Sequence, residues 1–202
     1  MERIPYSDKE YDFSHLYGEQ EWSERTLSYK FNIVGKQAKE YFHIIETQLL
    51  HWLVAPSTKM ELKDDMLPGF YFLAESVAEA SNDYKFVMGT LTITFTAYSH
   101  KIATLKEGHD IWDEFFFDLD YAQDTSFNVT GSQDITLQNP GNKKARPTIV
   151  TDRAIEIVKD DVTYSIPSGT TKSLDFTLSP GENRVRIIGT ATVSFEFYKE
   201  MI

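Results

Sequence analysis

The densest chemistry in this sequence is a run of carboxylates: Asp110-Ile-Trp-Asp113-Glu114, then Asp118-Leu-Asp120, then Asp124. Alternating acids can offer oxygen ligands to a hard cation. The run lacks the glycine and the closing glutamate of a helix–loop–helix calcium loop. Laid out as a strand over Ile111–Leu119, it puts Asp118 and Asp120 on one solvated face, with Phe117 and Leu119 filling the other. Asp64-Asp65 could work as an acid–base pair. Adjacent strand residues point to opposite faces, however, and Asp65 leads into Pro68-Gly69, so a turn is the better reading. The histidines, His15, His43, His51, His100 and His109, match no His-Glu-x-x-His or other ligand spacing. There is no cysteine, which removes disulfides, thiolate metal sites and a thiol nucleophile. Neither a Gly-x-Ser-x-Gly elbow nor a phosphate-cradling glycine loop occurs. A Ser/His/Asp triad gathered from distant positions has nothing to support it. The expectation is a protein without catalytic residues, metal or cofactor.

Charge narrows the partners. The net charge is −11 over 202 residues, spread evenly: residues 1–105 carry 10 Lys and Arg against 15 Asp and Glu, and residues 106–202 carry 10 against 16. Without a basic patch, specific nucleic-acid binding and attachment to anionic lipid are both disfavoured. No apolar run approaches the roughly 20 residues of a membrane helix, and the polar start Met1–Asp8 is no signal peptide. Fourteen Phe, eleven Tyr and three Trp suit strands and interfaces.

Elements follow from periodicity. Arg25–Val34 alternates strictly, with Leu27, Tyr29, Phe31 and Ile33 on one face. Ala38, Phe42, Ile45, Leu49 and Trp52 or Leu53 recur at helical spacing, which predicts one amphipathic helix over residues 36–54, closed by Pro56 and lying on a sheet. His43 and His51 fall off its apolar stripe. Short strands are expected near Lys59–Lys63 and Phe70–Val77. Within 86–97, Leu91, Ile93, Phe95 and Ala97 alternate with four threonines, a face suited to solvent or cross-strand hydrogen bonds. From Ile111 onward come short strands about ten residues apart, among them Ser173–Leu178, which is the spacing of an antiparallel sandwich. The expected fold is mainly β with one helix: an α+β domain over 1–105 and a β-sandwich over 106–202. The first segment, to about Glu24, reads as a surface arm with a short strand or turn. Its Tyr6, Tyr11 and Trp22 are candidates for a subunit interface.

Several segments together resemble the distal tail proteins of long-tailed phages. They are Ile4-Pro5-Tyr6, Tyr11-Asp12-Phe13-Ser14 and Gly18, then Arg25-Thr26-Leu27-Ser28-Tyr29-Lys30-Phe31. Leu62-Lys63-Asp64-Asp65, Pro68-Gly69-Phe70-Tyr71 and Gly89–Tyr98 follow in order. Asn139-Pro-Gly141, Pro147-Thr-Ile149, Ile166-Pro-Ser-Gly169 and Pro180-Gly-Glu-Asn183 resemble that family's second, galectin-like domain. Members usually carry a strand or hairpin before the Ile-Pro segment, on which this chain almost begins. The resemblance implies a structural virion protein made in the host bacterial cytoplasm. It implies a homo-oligomer, a hexameric ring joining the tail-tube protein to a tail-tip hub, tail-associated lysin or fibre protein. DNA would pass through the ring, whose acidic wall would repel phosphate. The sandwich would project outward, where receptor-binding proteins could dock. The alternative is a carbohydrate-binding module for host attachment, with Trp112 as the aromatic platform.

Overall fold

The computed structural model describes residues 22–34, 38–54, 58–76, 81–85 and 88–202. It also describes two short antiparallel strands, β1 (Glu2–Arg3) and β2 (Glu10–Tyr11). Tyr6 and the side chain of Tyr11 lie outside the described residues. The chain divides into two compact units, Met1–Met60 with Leu73–Ser99, and Glu61–Phe72 with His100–Ile202.

The first unit is built on a long strand pair. Its elements in chain order are β3 (Arg25–Val34), α1 (Ala38–Leu53), β4 (Met60–Lys63), β5 (Phe70–Ser76), β6 (Ser81–Lys85) and β7 (Met88–Ala97), with β4 and β5 also reaching into the second unit. β3 and β7 pair antiparallel over ten residues, so that Leu27 faces Phe95, Tyr29 faces Ile93 and Phe31 faces Leu91. That register puts both apolar sets on one face, where Leu91, Ile93, Phe95 and Ala97 are buried. The opposite face carries the hydroxyls: Ser28 and Thr94 lie 3.3 Å apart, and Thr90 donates to Asn32 Oδ1 at 3.2 Å. β6, a polar strand without alternation, pairs with the first residues of β7.

Helix α1 packs on β3 and β7 through Phe42, which is buried. Leu53 turns partly inward, whereas Trp52 is exposed. The Phe42 ring sits directly over Gly89, where any Cβ would overlap it. Gly89→Ala is therefore expected to cost about 1–3 kcal/mol through overpacking. Urea unfolding of the first unit checks this, with Phe42→Ala in the same chain recovering part of the loss. An unchanged midpoint in the single variant would show that the ring has room to move.

The second unit holds the sandwich. Its strands are β8 (Lys101–Ala103), β9 (Ser126–Val129), β10 (Ser132–Asn139), β11 (Thr148–Thr151), β12 (Ile155–Lys159), β13 (Val162–Ile166), β14 (Gly169–Lys172), β15 (Gly181–Ile188), β16 (Ala191–Glu196) and β17 (Glu200–Met201). One sheet runs β10-β15-β12-β13 and the other β14-β11-β16-β9. Between them lies one core, to which Leu137, Ile157 and Ile187 contribute from the first sheet, and Ile149, Val193 and Phe195 from the second. Alternation decides the faces: in β15, Val185 and Ile187 point in, while Arg186 points out to a two-pronged contact with Asp134 at 2.6 and 3.0 Å. β8 pairs with the first residues of β5 and with β17.

Two of the resemblance motifs, those at Asn139 and Asn183, close loops. Asn139 is buried; its amide donates to the carbonyls of Lys143 and Leu178, and its oxygen accepts the Gly141 N–H. Asn183 does the same around Pro180-Gly181, bridging the N–H and C=O of Ser179. Such paired amide bonds let polar turns sit against an apolar core.

Two expected strands are absent. Ser173–Leu178 is irregular apart from a bridge from Leu178 to Ala145. Ser173 Oγ accepts the N–H groups of Asp175 and Phe176 at 3.2 Å, a local bond that competes with sheet pairing, and the strand falls earlier, at β14. Ile111–Leu119 is not a strand either. It forms a single 3-10 turn at Trp112–Glu114 followed by a second turn, for a reason that lies beneath it.

Candidate functional site

The feature that stands out is the loop of residues 110–124 and the buried charge cluster that holds it. Lys199 lies between β16 and β17. Val193, Phe195 and Phe197 precede it at two-residue intervals on the inward face, so the lysine falls on that face too. Its side chain is 6 % exposed, and those of Glu107 and Asp120 are each 4 % exposed. Lys199 Nζ is ion-paired with Asp120 and lies 3.8 Å from Glu107 Oε1. It also sits 5.6 Å from the centre of the Phe70 ring, a favourable seat for a cation. The backbone ties the same parts together: the Glu107 N–H donates to the Phe197 carbonyl, and the Ala103 N–H to that of Lys199.

Burial dominates the electrostatics. It pushes the Glu107 carboxyl above its ordinary range, against the opposing pull of Lys199. It pushes the Lys199 ammonium below its ordinary value, against the pull of Glu107. Both shifts favour the neutral form, so desolvation outweighs the attraction within the pair.

Asp120 works in two directions. Oδ1 reaches Lys199, while Oδ2 accepts the Phe116 N–H at 2.8 Å. The Phe116 carbonyl in turn accepts the N–H groups of Leu119 and Asp120, which closes a turn over 116–120. This is why the acidic run is not a strand with Asp120 in solvent: the carboxylate is drawn inward by a cation far along the chain. Phe117, expected to fill the inner face, is instead 81 % exposed. Trp112 is 67 % exposed and Tyr121 53 %, with Ile111 and Phe116 also at the surface. The rings support one another, since the centre of Phe115 lies 5.4 Å from that of Trp112 and 5.2 Å from that of Phe117. The result is a pinned aromatic loop surrounded by carboxylates.

Other sequence candidates are placed elsewhere. Trp22 is exposed just ahead of β3. His43 pairs with Glu46 on the helix surface at 3.0 Å. Asp64 Oδ1 accepts the Met66 N–H, as a turn aspartate does. Trp112 has phenyl rings and acids beside it in the chain, with no Lys or Arg between Glu107 and Asn142. Sequence reasoning missed Lys199 and Glu107. The signal for Lys199 was its place in the inward register of Val193, Phe195 and Phe197.

The chain shares its fold with the SPP1 Dit protein. The match covers all of this chain and 86 % of that one, with a TM-score of 0.60 at 12 % identity. The crystal structure of that protein is presented as a paradigm of the hub adsorption apparatus in phages infecting Gram-positive bacteria. At such identity the likeness is one of fold. No protein-family model and no curated protein matches the chain. No described helix is long and apolar enough to cross a membrane.

Proposed function

We propose that this chain is a structural, non-catalytic component of a phage tail tip, six copies of which close into a ring below the tail tube. The observation that carries the reading is a shared fold along the whole chain with a phage hub protein. The edge of the first unit supports it. Among the described residues β3 pairs on one side alone, with β7, and leaves ten residues of open edge. Such an edge accepts another strand, and in a ring the same edge is used by every copy. Exposed Trp22 precedes it; Tyr6 and Tyr11 are further contact candidates from the same arm.

In this reading residues 1–105 form the ring, between the tail-tube protein and a hub, lysin or fibre protein, and residues 106–202 carry the sandwich outward, where receptor-binding proteins can dock. The net charge of −11 suits a passage through which DNA must slide without adhering. Native mass spectrometry and electron microscopy of the purified chain test the reading. Closed six-fold rings, alone or on the neighbouring tail proteins, are the expected result. A chain that stays monomeric in every mixture, or that turns over a substrate, overturns it.

A further inference from the structure

We propose that the loop of residues 110–124 is a docking surface for a cationic protein partner, one that offers an apolar seat for Trp112 and Phe117 inside a rim of lysine or arginine. This deepens the structural reading above, on which it rests, by naming the chemistry of one neighbour.

The apolar half of the inference comes from exposure. Keeping Trp112 and Phe117 in water forgoes the free energy of burying two large aromatic side chains. Phe115 and Phe117 lie in one short run with Trp112, so the exposed rings form a patch and are not scattered singly. The loop is also held in place: Asp120 bonds the Phe116 N–H with one oxygen and the buried Lys199 with the other. A surface ordered before binding loses less conformational freedom when a partner arrives. Large aromatics in a central position are the residues that carry most of the free energy at protein interfaces.

Charge selects the occupant. Asp120 is neutralised from within by Lys199, but Asp110, Asp113, Glu114, Asp118 and Asp124 all face solvent. No Lys or Arg occurs along the chain between Glu107 and Asn142. A second copy of this chain, itself at −11, meets this face with like charge, as do phosphate and anionic lipid. A neutral sugar can hydrogen-bond to carboxylates but carries no charge to answer the excess of five. A partner bearing cations around an apolar hollow satisfies both halves at once.

The test uses the full chain and short synthetic peptides, with fluorescence of Trp112 read in a Trp22→Phe, Trp52→Phe background. An amphipathic lysine–leucine peptide is expected to bind and to weaken as salt rises. A lysine–serine peptide of the same charge should bind at least about tenfold more weakly, and a glutamate–leucine peptide should not bind. Trp112→Ser with Phe117→Ser should weaken the lysine–leucine peptide by about tenfold or more, followed by a dye on the peptide since the reporter is then gone. Equal binding by that variant would reduce the effect to diffuse charge and overturn the proposal, as would equal binding of the acidic peptide. Ring mass is measured on the same samples. Rings without peptide binding sink the docking surface alone, whereas peptide binding by a permanent monomer sinks the ring alone.

Discussion

Lys199→Met is expected to lower the stability of the second unit by about 3–5 kcal/mol near neutral pH, because it leaves two buried carboxylates without their cation. Glu107 and Asp120 are both almost wholly enclosed, and Asp120 cannot turn out to solvent without giving up the Phe116 N–H. The sign of the pH dependence follows from the shifts. The Glu107 carboxyl titrates above its ordinary value in the folded chain, so its contribution is full below the ordinary carboxylate range and is lost as pH rises through the raised value. Lys199 titrates below its ordinary value, so burial of its charge is a cost at neutral pH that is relieved as pH climbs toward the ordinary lysine range. In Lys199→Met both carboxylates stay enclosed and lose the ammonium. The loss should shrink as pH falls and Glu107, already raised by burial, takes up its proton. Urea unfolding as a function of pH reads this directly. Adding Glu107→Gln and Asp120→Asn to Lys199→Met should return most of the stability, since a neutral hydrogen-bonded cluster has no uncompensated charge. A deficit that is flat with pH, or that persists in the triple variant, would mean that the lysine matters for its packing and not for its charge.

Phe176→Ala should cost about 3–5 kcal/mol, the range for emptying a large aromatic site in a closed core. Phe176 is fully buried and enters the core from a segment that belongs to neither sheet. Its ring meets Tyr164 edge-on at 5.2 Å and Phe195 at 6.2 Å, so it bridges residues of both sheets. The Ser173 hydroxyl accepts its N–H and sets the entry of the segment. An unfolding free energy from urea lowered by less than about 1 kcal/mol would show that the neighbours collapse into the space. Losing the side chain should also free the segment around Leu178, visible as faster amide exchange there.

Strict alternation made the strands of the first unit legible. In β3 and β7 every second residue is apolar, and the burial follows that period residue by residue. The helix was legible from Phe42, Ile45 and Leu49, though spacing left Trp52 and Leu53 open; of the two, Leu53 is half-buried and Trp52 exposed. β6 was not legible, because Ser81–Lys85 is polar and gains its order from β7 alongside. The aromatic loop misled for a more physical reason. Phe115 to Asp120 alternates just enough to read as a strand, while the charge that folds it lies far ahead at Lys199. Local pattern cannot reveal a partner that distance in sequence conceals. Ser173–Leu178 misled for a local reason: Phe176 and Leu178 are buried, but Leu174 is exposed and the Ser173 hydroxyl takes the N–H groups that pairing would use.

The lysine in the charge cluster has a consequence for how the polypeptide is made. Glu107 and Asp120 leave the ribosome well before Lys199 does. Until that one residue is translated, the buried carboxylates lack their counter-ion, so a nascent chain holds its aromatic loop unfastened. Fastening of the aromatic loop thereby waits on a residue translated well after the carboxylates it neutralises.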